Sequence, residues 1–249
     1  MPTIWHEAEL IGQKEEAKGT NRFWFRILED TPLHYEAGQF LTFDLPTGDK
    51  RAQRWRSYSI ANNYDGSNII ELCIAYKKDG LASEYFFNTI NKGDKIKFKG
   101  PEGTFLIPSD LQVPIVMIAT GTGIAPFRTM LQKIEKDGMR PSNIHLIFGT
   151  RTLKSFLYQE DLEYYNHFIE NFKLSVCFSR EKKIPKSKVS SITYHSGYVH
   201  EVYLQDKKIN PSKTLFMICG YGSMIDDAVS NLINTLKVPK NLIRIEMFG

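Results

Sequence analysis

The stretch Arg54-Trp55-Arg56-Ser57-Tyr58-Ser59-Ile60 delivers a guanidinium, an aromatic ring and two hydroxyls within four residues of a segment that reads as a β-strand. A guanidinium grips anions, a ring offers a stacking face, and a hydroxyl both donates and accepts. Those are the contacts a flavin nucleotide requires. Strand alternation puts Arg56 and Tyr58 on one face and Ser59 on the other, so Ser59 can join them only through a bend or a strand end.

A second chemical stretch is Ala119-Thr120-Gly121-Thr122-Gly123-Ile124-Ala125-Pro126. Its glycines let backbone N–H groups approach a pyrophosphate, and Pro126 suits a first helical turn, where no N–H partner is available. The run departs from the dinucleotide fingerprint because Pro126 stands in place of the third glycine. Further on, Phe148-Gly149-Thr150-Arg151 puts a cation where an NAD-preferring domain carries an acid, and the next apolar run ends in Ser179-Arg180. Two arginines on the ligand-binding edge of a sheet suit a 2′-phosphate, which favours NADPH over NADH. Each alone also reads as a solvated loop arginine. Cys219-Gly220-Tyr221-Gly222-Ser223 places a cysteine between strand and helix, where plain packing is the commoner role and no His or Asn pairing marks a nucleophile.

These residues need scaffolds. From residue 22 to about 107, Phe23, Phe25 and Ile27, then Leu41, Phe43 and Leu45, then Ile70, Leu72 and Ile74 recur at period two between turn-forming clusters. Short strands at that spacing predict an antiparallel barrel. Asp79-Gly80-Leu81-Ala82-Ser83 leads into a helix over 84–90 with Ser83 as its N-cap, and a helix start suits a phosphate. A helix that merely plugs the barrel fits the same residues. Beyond residue 110 the apolar runs 113–119, 144–148, 174–178 and 215–219 alternate with helical spacings, which predicts a doubly wound α/β domain. The expected division is therefore a β-barrel over 1–110 and a parallel-sheet α/β unit over 111–249.

Composition narrows the partners. With 42% hydrophobic and 24% charged residues the chain has a globular balance, and no apolar run approaches the ~20 residues of a membrane helix. The first residues lack a signal-peptide pattern, so a cytoplasmic protein without membrane association is expected. Three scattered cysteines without a CxxC pair argue against a disulfide framework or a zinc site and rule out a four-cysteine cluster. A net charge of +4 without a basic stripe argues against nucleic acid and is compatible with an acidic protein or a phosphorylated small molecule.

Taken together, RxYS at 56–59, GLAS at 80–83, GPEGTF at 100–105, GTGIAP at 121–126, FGTRT at 148–152, SR at 179–180, CGYGSM at 219–224 and the ending EMFG resemble the ferredoxin–NADP reductase family over nearly the whole chain. The resemblance implies an FAD-binding barrel followed by an NADP-binding domain. It implies that Arg56 binds the flavin pyrophosphate, Tyr58 stacks on the isoalloxazine and Ser59 bonds near N5, with Ala82 and Ser83 at the pyrophosphate. It also places Thr122, Gly123 and Pro126 around the NADP pyrophosphate and nicotinamide, Arg151 and Arg180 at the 2′-phosphate, Cys219 beside nicotinamide C4 and Glu246 as an acid for proton movement. Ser59, Cys219 and Glu246 form the implied catalytic set. Relatives of this kind often end in Tyr or Trp over the flavin; here Phe248 stands before Gly249, which covers nothing.

The implied reaction moves a hydride from NADPH to FAD and releases electrons singly to an acidic ferredoxin or a flavodoxin. Lys92, Lys95, Lys97, Lys99, Arg51 and Arg54 are the candidate docking cations, although each also reads as an ordinary surface charge. Three rivals share these motifs: a reductase of free flavin, the reductase component of an oxygenase, and a non-catalytic flavin-bearing subunit of a larger complex.

Overall fold

Alternating apolar residues build the first sheet. The computed structural model describes residues 4–187 and 189–248, with Phe248 described by its backbone alone. Strands β1 (His6–Ala17), β2 (Thr20–Ile27), β3 (Phe40–Asp44), β4 (Trp55–Ser59), β5 (Ile69–Ala75) and β6 (Lys95–Glu102) form an antiparallel sheet in the order β4-β3-β6-β1-β2-β5. An antiparallel bridge between Ile60 and Leu72 links the two edges, so the sheet curls around fully buried Phe23, Phe25, Phe43 and Phe98. A reading that starts at residue 22 omits β1, because its Lys and Glu residues mask the alternation of buried Ala8 and Leu10.

Two short helices differ from expectation. Helix α1 (Arg51–Arg54) takes Arg54 out of the strand, so β4 begins at Trp55. Helix α2 (Leu81–Glu84) starts after Gly80, and Ser83 is not the N-cap but a residue inside the first turn. The Ser83 hydroxyl donates to the carbonyls of Lys77 and Gly80 at 2.8 and 2.9 Å, which fastens the turn that precedes the helix. A wider π-turn over Tyr85–Thr89 continues α2 and seats Phe86 in the barrel core.

Continuous apolar runs build the second sheet, as strands buried on both faces require. Strands β7 (Ile115–Thr120), β8 (Ile144–Thr150), β9 (Phe172–Phe178), β10 (Ile192–Ser196), β11 (Leu215–Tyr221) and β12 (Ile243–Phe248) are all parallel, in the order β10-β9-β8-β7-β11-β12. Helices α3 (Ile124–Lys136) and α4 (Gln159–Phe168) contribute to the core on one face, while α5 (Val199–Gln205) and α6 (Gly222–Ser230) contribute to that on the other. Neither β10 nor α5 is visible as an apolar run, since β10 is an edge strand of mixed polarity.

The strand order reverses at β7, with β8 on one side and β11 on the other. In an open parallel sheet a ligand crevice lies at that reversal, outside the carboxyl ends of the strands. The architecture is the expected pairing of an antiparallel β-barrel with a doubly wound α/β unit. Among the described residues no helix is long and apolar enough to cross a membrane, and no group of three or more His, Cys, Asp or Glu residues is placed to hold a metal.

Candidate active site

The pairing of β3 with β4 fixes where the opening motif points. Arg56 and Tyr58 stand opposite Phe43 and Leu41, both fully buried, and Ser59 stands opposite Phe40 at the strand's end. The Tyr58 ring meets Phe86 edge-on at 5.4 Å, and burial raises its phenol well above the usual range. Arg56 Nη1 donates to the carbonyls of Ala52 and Trp55 at 2.6 and 2.7 Å, which folds the guanidinium against α1. No bend brings Ser59 round to Tyr58. Instead the second sheet comes to Ser59, whose hydroxyl donates to Glu246 Oε1 at 2.7 Å.

Glu246 sits on β12 in register with Cys219 on β11. Burial pushes its carboxyl up to about 7, against the lowering effect of the Ser59 hydrogen bond. Burial, reinforced by the charge of Glu246, holds the Cys219 thiol well above its ordinary range. Cys219 has no exposed surface and packs within the core between β7, β11 and β12. The three residues of the implied catalytic set therefore come together as a buried hydroxyl, a half-buried acid and a fully buried thiol.

At the strand-order reversal, Gly121–Gly123 forms a tight turn that feeds α3. Gly121 has φ +53, and a Cβ on Gly123 would meet the Cys219 carbonyl oxygen at 2.4 Å, so close approach of β7 and β11 demands glycine there. Thr122 is half-buried on this turn, and Pro126 is buried in the first turn of α3. Beside it Thr120 Oγ1 is buried without a hydrogen-bond partner, 2.3 Å from where a Cβ on Gly220 would stand. An orphaned hydroxyl among backbone brought close by glycines fits a pyrophosphate oxygen. Tyr221, 57% exposed, lies against Gly121 at the same edge.

Arg151 and Arg180 are both exposed, and the Arg180 N–H donates to the Arg151 carbonyl at 2.8 Å. That bond joins the backbones of the two arginines just beyond β8 and β9. On the barrel, Ala82 and Ser83 are buried at the start of α2, where the first backbone N–H groups of a helix have no intrahelical partner. Ser83 can offer a ligand its N–H but not a free hydroxyl, since that is engaged in the turn. The expectation that Phe248 covers the flavin concerns a side chain outside the described residues, as does Gly249.

The cations proposed for docking divide. Arg54 pairs with Asp44, and Lys99 with Glu102 at 2.7 Å, while Arg51 stacks over Trp55 at 3.8 Å. Lys92, Lys95 and Lys97 are exposed.

Comparison with known proteins meets this geometry at both sheets. Residues 7–107 match the oxidoreductase FAD-binding domain family and residues 117–230 the oxidoreductase NAD-binding domain family. The ferredoxin–NADP reductase of Spirulina sp is 30% identical over 252 residues, covering 87% of this chain and 81% of that one. The chain belongs to the ferredoxin–NADP reductase family.

It is thus a flavoprotein oxidoreductase of that type, with FAD- and NAD(P)-binding regions. The family also holds reductases with other partners by name. The anthranilate 1,2-dioxygenase electron transfer component of Acinetobacter baylyi is 29% identical over 194 residues, which are 78% of this chain, and the match spans 52% of that protein. The flavohem-like FAD/NAD binding domain of nitric oxide dioxygenase from Vibrio cholerae shares the fold, with a TM-score of 0.79 at 18% identity and 98% of each chain covered.

Sequence spacing missed one group of polar residues altogether: Arg22, Glu71, Arg128 and Tyr158, which meet where the two sheets face each other. Glu71 and Cys73 alternate with Ile70, Leu72 and Ile74 on β5, a pattern that by itself predicts a half-buried strand, yet they are 2% and 6% exposed. A charged residue flanked by strand hydrophobics gives no sign that a second sheet will cover it. The one available signal was Arg128, a cation inside the apolar spacing of α3.

Proposed function

We propose that this chain is an NADPH oxidoreductase in which the 1–110 unit holds FAD, the 111–249 unit holds NADP, and electrons leave singly to a separate ferredoxin or flavodoxin. The observation that carries this reading is the Ser59–Glu246 hydrogen bond of 2.7 Å. It joins the end of the flavin-type strand to the strand beside Cys219, so a hydroxyl, an acid and a thiol meet where two rings would face each other.

FAD, when bound, takes a hydride at N5 and releases electrons one at a time. The chain's own residues position and screen. Arg56 and the N–H groups of Ala82 and Ser83 neutralise the flavin pyrophosphate, and Tyr58 provides a stacking face. Ser59 hydrogen-bonds near the flavin N5 position, and Glu246, to which its hydroxyl donates, holds a proton at its carboxyl near neutral pH. Thr122, Gly123 and Pro126 shape the nicotinamide approach, with Cys219 behind it. Arg151 and Arg180 clamp the 2′-phosphate through charge-assisted bonds.

An acidic carrier fits the exposed lysines of β6 and its preceding turn, in a cytoplasmic setting. Delivery to an oxygenase component is the second reading, favoured by the likeness to the anthranilate dioxygenase component. Anaerobic titration of the purified yellow protein with NADPH and then NADH tests the core of the proposal. NADPH should bleach the flavin at lower concentration than NADH, and a flavin that neither coenzyme bleaches would refute hydride transfer. Reduction of added acidic ferredoxin, flavodoxin or an oxygenase component separates the acceptors.

A further inference from the structure

Helix α3 begins directly after the Gly121–Gly123 turn, and one of its faces runs along the barrel. Arg128, Gln132 and Lys136 recur every four residues, which stacks them on a single stripe. Their partners are nearly consecutive. Arg128 Nη1 donates to the Ala61 carbonyl, Gln132 Oε1 accepts from the Asn63 N–H at 2.7 Å, and Lys136 Nζ donates to the Tyr64 carbonyl at 3.2 Å. The segment 61–64 directly continues Tyr58-Ser59-Ile60. Neighbouring Thr129 Oγ1 accepts from the Gly38 N–H at 3.1 Å, adding a fourth point of attachment.

The root of the stripe is anchored in a buried charge cluster. Glu71, 2% exposed, receives Arg22 at 2.6 and 2.8 Å, Trp24 Nε1 at 3.2 Å and the Tyr158 hydroxyl at 2.8 Å, and Arg128 approaches it to 3.4 Å. Arg128 Nε donates to Asp161 at 2.6 Å. The guanidinium groups of Arg22 and Arg128 each lie over the Tyr158 ring, at 5.2 and 4.4 Å. Every charge there has a partner, as a buried charge requires. Arg128 lies two residues beyond the 121–126 motif, so the cluster fixes the helix that starts at that motif.

We propose that this face of α3 sets the distance between the flavin-holding strand and the nicotinamide-binding turn, with Arg128 and Gln132 as positioning residues. The inference rests on the hydride-transfer reading given above. The stripe touches neither cofactor motif itself; it ties the residues just after Ser59 to the helix that starts at the pyrophosphate turn. Loss of one link therefore changes ring-to-ring geometry more than the affinity of either cofactor.

Arg128→Ala would leave Glu71 and Asp161 short of a cation and endanger folding, so Gln132 is the probe. Gln132→Leu removes the acceptor for the Asn63 N–H, and Gln132→Glu retains one. In Gln132→Leu, the Asn63 amide of the FAD-loaded protein should exchange hydrogen faster, while NADP+ affinity and FAD retention stay within about twofold. Single-turnover flavin reduction by NADPH should fall about tenfold, because misplacement by a fraction of an ångström is costly to hydride transfer. The long-wavelength charge-transfer absorbance should weaken in parallel, and Gln132→Glu should restore both signals. An unchanged rate, a rate loss matched by weaker NADP+ binding, or failure of Gln132→Glu to rescue overturns the proposal. A wild-type flavin that neither coenzyme bleaches overturns the functional reading with it, whereas a normal wild type beside an unaffected variant removes only the positioning role.

Discussion

Ser59 donates its hydroxyl to Glu246 across 2.7 Å, although 187 positions separate them in the chain. The bond opposes burial: one favours the ionised carboxylate, the other its neutral form, and burial prevails at about 7. A carboxyl that holds its proton near neutrality is suited to general acid work.

That shift has a thermodynamic signature. Between the ordinary carboxyl value of 4.5 and about 7, the folded chain keeps the Glu246 proton that the unfolded chain has lost. Its contribution is present in full below that window and vanishes as pH rises through about 7, amounting to up to about 3 kcal/mol. Urea unfolding of the flavin-free protein should therefore show stability falling across the window, with a shallower fall in Glu246→Gln. Ser59→Ala, which removes the bond favouring the charge, should move the upper edge of the window higher. Equal slopes for wild type and Glu246→Gln would contradict the assignment.

Thiol chemistry offers a separate check. Cys219 is fully buried with its thiol held protonated, and burial pushes Cys73 and Cys177 up to about 12. Maleimide at pH 8 should label none of the three in the native protein and all of them in urea. Rapid native labelling of Cys219 would show that its strand end is open to solvent and reactive.

Arg180→Ala should weaken NADPH selectively, by about 1.5–3 kcal/mol for a lost charge-assisted bond. Dissociation constants for NADPH and NADH decide it, and equal losses for the two would remove the 2′-phosphate role from this residue. Because the Arg180 N–H is bonded to the Arg151 carbonyl through the backbone, the arrangement of the strand ends should survive the substitution.

Gly123→Ala should destabilise the fold by about 1–3 kcal/mol, as overpacking between close strands does. The added Cβ would stand 2.4 Å from the Cys219 carbonyl oxygen, whereas on Gly12 the nearest neighbour would be a Trp24 ring atom at 4.0 Å. Thermal unfolding should separate Gly123→Ala from a near-neutral Gly12→Ala, and matching midpoints would show that β7 and β11 can part without cost.

What the sequence made legible follows from the range of each interaction. Arg56 and Tyr58 share a face because alternation is local, and the Arg151–Arg180 pair was readable because parallel strands bring their carboxyl ends to one edge. The meeting of Ser59 with Glu246 was not, since no periodicity links a barrel strand to the last strand of another sheet; family resemblance put both near the flavin without pairing them. Ser83 was misplaced by the habit of reading the first hydroxyl before an apolar run as a cap, when Gly80 starts the helix and the serine staples the turn. Glu71 was misread for a related reason: alternation separates two faces but does not say that both are covered.

The contact of Tyr158 with both Arg22 and Arg128 bears on modularity. Arg22 and Glu71 belong to the barrel, while Arg128 and Tyr158 belong to the parallel-sheet unit. A chimera grafting this barrel onto a foreign nucleotide-binding unit would have to supply a matching cation and phenol, or leave Glu71 with only Arg22 and Trp24 of its present side-chain partners. Exchange of either half of this chain is thus constrained by buried charges that neither half can satisfy by itself.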